Sequence, residues 1–174
     1  MAPSKPSAKQ VATAYFEAVA ARDVDAMMEH WEPGGMGHIY GMAELRAPDG
    51  YREYFGAMFR TVPDLSMSVL DMVAYGDKAA VRWGASGTFS GPGKFEGLAA
   101  TGASVYIEGI DMLTIRDGLI RENFAYTNAT ELARQFGAAP AAGSFAERAM
   151  LSAVNARTAA TSLLKRATSR ASSS

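Results

Sequence analysis

The hydrophobic period of this chain changes for good at Pro63, and that change limits the folds open to it. Before Pro63 the apolar residues recur mainly at helical spacing, with one short extended stretch; from Leu65 onward they alternate with period two and are rich in β-branched side chains. Helices first and strands afterwards imply an α+β chain in which three N-terminal helices cover one face of a curved antiparallel sheet. The 174 residues suit one domain, and 48% hydrophobic against 20% charged residues allows a buried core.

On the helical side, Val11, Ala14, Tyr15, Ala18 and Val19 make one stripe ending near Arg22. Asp23 caps a shorter helix with Val24, Met27, Met28 and Trp31 on its inner face, stopped by Pro33-Gly34-Gly35. Met36 to Met42 is too short for a helix and reads as a first strand, with Met36, His38, Tyr40 and Met42 on one face. Tyr51, Tyr54, Phe55, Met58, Phe59 and Val62 mark the third helix, which Pro63 ends. Turn signals at Tyr75-Gly76-Asp77, Gly91-Pro92-Gly93, Thr101-Gly102 and Arg116-Asp117-Gly118 then divide four strands, about 66–74, 79–89, 104–115 and 119–128, with a short extended piece near Phe95.

The ends differ from this body. Residues 1–9 read as a flexible start without an apolar leader, residues 10–138 as the domain, and residues 139–174 as a basic tail rich in Ala and Ser. From residue 141 the tail carries five cations against Glu147 alone, a charge of +4, which leaves twelve cations and seventeen acids, or −5, for the rest. A marginal helix around Phe145 to Leu164 and disorder beyond it are expected, because few large apolar groups offset the chain entropy.

Composition removes several functions. No cysteine is present, so disulfides, thiolate metal sites and a Cys nucleophile are excluded; two distant histidines do not make a metal-ligand set. A net charge of −1 without a dense basic cluster argues against nucleic acid, and no stretch suits a membrane span, so a cytoplasmic protein is expected. Gly91-Pro92-Gly93 is a hairpin rather than a phosphate cradle, since no strand-to-helix context follows it.

The order of segments from Val11 to Gly137 carries a family likeness. Trp83-Gly84-Ala85-Ser86-Gly87-Thr88-Phe89, Phe95-Glu96-Gly97, Ala100-Thr101-Gly102, Gly109-Ile110-Asp111, Arg116-Asp117-Gly118-Leu119-Ile120, Glu122 and Leu132-Ala133-Arg134-Gln135-Phe136-Gly137 follow one another as in the SnoaL-like polyketide cyclase branch of the nuclear transport factor 2-like superfamily, which this chain resembles. The resemblance implies a cone-shaped sheet closed by helices, a homodimer, and chemistry on polyketide-like or other apolar carbonyl compounds. At two polar positions the chain departs from the pattern. Phe89 stands where the family usually has His. Asn128, or the nearby Ala125, stands where the last strand of the cyclases usually ends in Asp.

The candidates for chemistry are therefore few. On the strand near 105–115, Asp111 is the lone carboxylate on a face with Val105, Ile107, Leu113 and Ile115. Facing inward, it is a usable base or a neutral acid; if Gly109 marks a bulge, the alternation flips and Asp111 meets solvent. His38 is a candidate proton shuttle, with Tyr40 beside it on the same strand face. Asn128 and the Tyr126 hydroxyl are candidates to orient a carbonyl, and Tyr15, Trp31, Trp83, Phe89 and Phe124 to supply aromatic walls. The expectation is a cyclase or isomerase for a small apolar carbonyl compound that uses neither cofactor nor metal. A non-catalytic binding module is the alternative, and an epoxide hydrolase the third.

Overall fold

A computed structural model describes residues 5–171, and side chains as far as residue 162. It divides into two units, Met1–Ala138 and Ala139–Ser174. In the first unit, helix α1 (Ala8–Ala21) starts at Ser7, whose hydroxyl accepts from the Gln10 N–H while the Gln10 side chain accepts from the Ser7 N–H. It ends at Arg22 in a left-handed conformation, φ 60°, and the Arg22 guanidinium donates to the Pro63 carbonyl. Helix α2 (Val24–Glu29) starts at Asp23, whose carboxylate accepts from the Ala26 N–H at 3.0 Å.

Trp31 corrects the sequence reading. It is not on the face of α2 but opens strand β1 (Trp31–Ile39), which runs through Pro33-Gly34-Gly35. The His30 carbonyl accepts from the Ile120 N–H, and Trp31 pairs with Ile120, so a distant strand captures this segment before a third helical turn forms. The register is irregular between Trp31 and Met36, where Pro33 and the glycines lie. Strand β2 (Ala43–Arg46) folds back on β1 and has no counterpart in the sequence reading. Helix α3 (Asp49–Thr61) follows.

The second half holds β3 (Ser66–Tyr75), β4 (Lys78–Phe89), the two-residue strands β5 (Lys94–Phe95) and β6 (Leu98–Ala99), β7 (Ala103–Arg116) and β8 (Leu119–Thr127). Four of them join β1 and β2 in a curved six-stranded sheet of order β2-β1-β8-β7-β4-β3, antiparallel except for the parallel pair β1–β8, while β5 and β6 pair with each other. The β7–β8 turn uses Asp117 and Gly118, both at positive φ. Helix α4 (Ala129–Gln135) closes the unit.

Between β4 and β7 the pairing is continuous from Lys78 opposite Thr114 to Phe89 opposite Ala103, so Gly109 marks no bulge. Its lack of a side chain serves close packing instead. A Cβ there would lie 2.3 Å from Cζ2 of Trp83, the residue directly across the ladder. With the alternation intact, Val105, Gly109, Asp111, Leu113 and Ile115 are buried, and Tyr106, Glu108, Ile110 and Met112 are exposed.

The core joins α1, α3 and the inner sheet face. Trp31 packs on Tyr51 with ring centroids 4.3 Å apart and edge-on to Tyr15 at 6.1 Å. A second cluster gathers Val62, Phe95, Val105, Phe89 and Phe136, the last two rings 4.4 Å apart. Burial of each such ring stabilises the fold by roughly 1.5–3 kcal/mol.

The second unit is dominated by α5 (Phe145–Ala171), which continues past Leu164, where the sequence suggested it would stop. Phe145, Met150, Leu151 and Val154 are exposed along it. Residues 1–4 of the expected flexible start and residues 172–174 of the expected disordered end lie outside the described residues. No helix among the described residues is long and apolar enough to cross a membrane.

Candidate active site

A cavity of about 120 Å³ lies between α1, α3 and the inner face of the sheet. Its walls are apolar except for a few groups, of which Asp111 is the one carboxylate. Asp111 is held from both neighbouring strands. On one side Val81 is its direct partner and Trp83 the diagonal one; on the other Ala125 is direct and Asn123 diagonal. Trp83 Nε1 donates to one carboxylate oxygen at 2.8 Å, and Asn123 Nδ2 donates to the other at 2.6 Å. Asp111 lines the cavity together with Trp83, Asn123 and Ala125.

Asp111 is 7% exposed. Burial disfavours its charged form and raises its pKa to about 6, against the two N–H donors, which pull it down. The result is a carboxylate mostly ionised at neutral pH yet more basic than an exposed one, the range in which a carboxyl group serves proton transfer. Burial foremost, and then the charge of Asp111, keep the Tyr15 phenol neutral by raising its pKa.

The sequence candidates separate by face. Asp111, Trp83 and Tyr15 line the cavity. Trp31 and Phe89 are buried in the core, Phe89 completely, and neither lines the cavity. His38, Tyr40, Phe124 and Tyr126 lie on the opposite, outer face of the sheet, because Ile39 and Ala125 are the residues that turn inward. There the His38 ring stacks on Phe124 at 4.7 Å and Tyr40 stacks on Tyr126 at 4.5 Å. His38 Nδ1 is 2.6 Å from Glu44. Nothing on that face can reach the cavity, so His38 does not shuttle protons for Asp111 and Tyr126 orients no ligand within it.

Asn128 is an N-cap rather than a ligand group, since its side chain accepts from the Glu131 N–H at 3.0 Å to start α4. Asn128→Ala is expected to cost about 1 kcal/mol of stability, read by denaturant unfolding, and to leave ligand binding in the cavity unchanged. Weakened binding in this variant would return Asn128 to the site.

Sequence reasoning missed Asn123, Tyr51 and Tyr54. Asn123 carried a signal: it shares the inner face of β8 with Ala125 and Thr127, one register step from Asp111. Tyr51 and Tyr54 lie on the stripe of α3 that the sequence marked as core, and both line the cavity. Burial raises the pKa of each, Tyr51 strongly, so both are neutral hydroxyls at physiological pH.

Comparison with known proteins agrees with this architecture. A sequence search among curated proteins gives no match. Among solved structures, a protein of Jannaschia sp. CCS1 assigned as a SnoaL-like polyketide cyclase superposes with TM-score 0.68 at 20% identity, over 80% of this chain and 98% of that one. TsrD from Streptomyces laurentii superposes with TM-score 0.64 at 28% identity, over 75% and 95%. AclR from Streptomyces galilaeus, assigned as a hydroxylase, gives 0.65 at 22% identity, over 76% and 97%. The family model for SnoaL-like polyketide cyclase matches residues 9–136, and with the helix order and sheet described above it establishes that this chain belongs to the SnoaL-like polyketide cyclase branch of the nuclear transport factor 2-like superfamily.

Proposed function

We propose that the chain is a cofactor-independent cyclase or isomerase for a small apolar carbonyl compound, with Asp111 as its proton-transfer group. One observation carries this reading: a carboxylate buried in an apolar cavity, open to it, and oriented by N–H donors from two strands. Asp111 takes a proton from the carbon beside the carbonyl, and the electron pair passes to the oxygen as an enolate. The enolate carbon then attacks a second carbonyl of the same molecule, or is reprotonated elsewhere, and Asp111 returns the proton. Atoms and charge balance without a cofactor. Ala125 lies directly across the ladder from Asp111, so the carboxylate serves from β7 a region where the family pattern suggests one from β8.

The test is exchange of the α-hydrogens of candidate ketones in D2O, followed by NMR with purified protein. Catalysed exchange is the expected result. Incubation with cell extract and mass spectrometry of the released compounds decides the alternative, because ligands bound and returned unaltered, without exchange, identify a binding module.

We also propose that the active form is a dimer through the outer sheet face. Val73, Ala80, Met112, Phe124 and His38 follow one another across five strands there, ending at Glu44. The parallel row Asp71, Arg82, Ile110 and Tyr126 brings both charge signs to its border, which suits a surface that meets a second copy of itself about a two-fold axis. Met112→Glu is expected to halve the mass in light scattering, and an unchanged mass removes this face as the interface.

A further inference from the structure

The cavity is small for a site walled by so many rings. Its volume of about 120 Å³ is close to the roughly 150 Å³ hole that admits benzene in a protein core. It falls well below the roughly 300–1,000 Å³ of pockets that hold drug-sized ligands. The limit is set by rings that the core fixes. Tyr15 is edge-on to Phe16 at 5.4 Å, Tyr51 stacks on Phe55 at 5.8 Å, and Tyr54 meets Phe95 edge-on at 5.2 Å. The fourth wall, Trp83, is pressed against Gly109 and tied to Asp111.

Within this space the Tyr51 O–H has no acceptor. Tyr51 is 1% exposed and lines the cavity; the Asn123 side chain acts on its phenol oxygen as a donor, but no group among the described residues accepts the hydroxyl proton. The chain makes room for that hydroxyl at the expense of a side chain, because a Cβ on Gly37 would lie 2.0 Å from it. A buried O–H left without an acceptor weakens a fold, and its retention is explained by a ligand atom that accepts from it. Asn123, which holds Asp111, and Asp111 itself both act on the Tyr51 phenol, so the hydroxyl belongs to the same polar corner of the cavity.

Resting on the reading of Asp111 as the proton-transfer group, we infer that the pocket takes a carbonyl compound of single-ring size and that Tyr51 donates its O–H to the carbonyl oxygen. As Asp111 removes the α-proton, negative charge collects on that oxygen and the Tyr51 hydrogen bond strengthens, which favours the enolate over the ketone. Tyr51 keeps its own proton throughout.

The experiment is calorimetric titration of the full chain with acetophenone, 2-acetylnaphthalene and 2-acetylanthracene, which carry the same acetyl group on one, two and three rings. Apolar area alone favours the largest. The expected order is the reverse, with acetophenone bound at least about tenfold more tightly than 2-acetylanthracene, as overfilling a packed cavity demands. Affinity that rises with each ring overturns the size limit. Tyr51→Phe is expected to weaken acetophenone binding about three- to tenfold and to leave ethylbenzene, which lacks the oxygen, within about twofold. Equal effects on both ligands overturn the Tyr51 assignment. Exchange of the acetophenone methyl hydrogens in D2O is read separately. Binding in the expected order without exchange retains the pocket and rejects proton transfer. Asp111-dependent exchange that is as fast for 2-acetylanthracene as for acetophenone retains proton transfer and rejects the size limit.

Discussion

Asp111→Asn is expected to lower turnover by about 10²–10⁴-fold at pH 7, the usual contribution of a positioned general base, and to make the protein more stable at the same pH. The two effects have one cause. Burial raises the carboxyl from an ordinary 3.8 to about 6 in the folded chain, so between those values the native state holds a proton that the unfolded chain releases. Stability from this group is therefore greatest below about pH 4 and falls as pH rises to about 6, after which the loss is complete. Two pKa units correspond to about 3 kcal/mol, an order-of-magnitude figure for the cost of keeping this charge buried at pH 7. Asparagine removes the charge, although Trp83 and Asn123 address different oxygens of Asp111 and one of them would face the amide NH2 instead of an acceptor, which returns part of the gain. The stability difference between variant and wild type, measured by denaturant unfolding, should thus grow from pH 4 to pH 7 and then level off. In wild type, kcat/KM should fall about tenfold per pH unit below about pH 6, because the active form is the carboxylate. Undiminished turnover in the variant, or a stability difference that ignores pH, would remove Asp111 from the mechanism.

Much of this site was legible because Asp111 is the lone acid on an apolar face of a strand that period-two alternation marks clearly. The four long strands were legible for the same reason, with the Asp117-Gly118 turn and Pro63 as punctuation. What stayed hidden depends on which face of the sheet is inside. On β8 the outward Phe124 and Tyr126 are more apolar than the inward Asn123, Ala125 and Thr127, so local hydrophobicity pointed to the wrong side; on β1 the alternation put His38 and Tyr40 on one face without telling which face is inside. The parallel pairing of β1 with β8 joins residues some ninety positions apart, and nothing local in Pro33-Gly34-Gly35 announces a strand. Gly109 was ambiguous because a bulge and a close ring contact demand the same residue. Only the unbroken register with β4 separates them.

That ring contact makes Gly109→Ala the variant with the second-largest expected effect. The added Cβ would lie 2.3 Å from Cζ2 of Trp83 and 2.8 Å from Cε2 and Cη2, well inside any tolerated approach, and the obstacle is a rigid indole rather than a flexible chain end. Overpacking of this kind costs about 1–3 kcal/mol. The indole must swing off the ladder, and its Nε1 then leaves Asp111. With one lowering partner gone, the Asp111 pKa rises above about 6, so the acidic limb of kcat/KM shifts to higher pH. A displacement of about 1 Å in a group that positions the base is enough to cost about 10²-fold in turnover. Gly84→Ala, on the outer face of β4, is the control: its Cβ would meet the Tyr106 hydroxyl at 3.2 Å and Leu70 Cδ1 at 3.4 Å, both far ends of side chains away from the cavity, and turnover should hold. A double-mutant cycle isolates the cause. In a Trp83→Ala background there is no ring to displace, so Gly109→Ala should add little further loss of stability or turnover, a coupling of about 1 kcal/mol or more. Strictly additive losses would mean that the glycine acts through the backbone of β7 and not through the hold of Trp83 on the carboxylate.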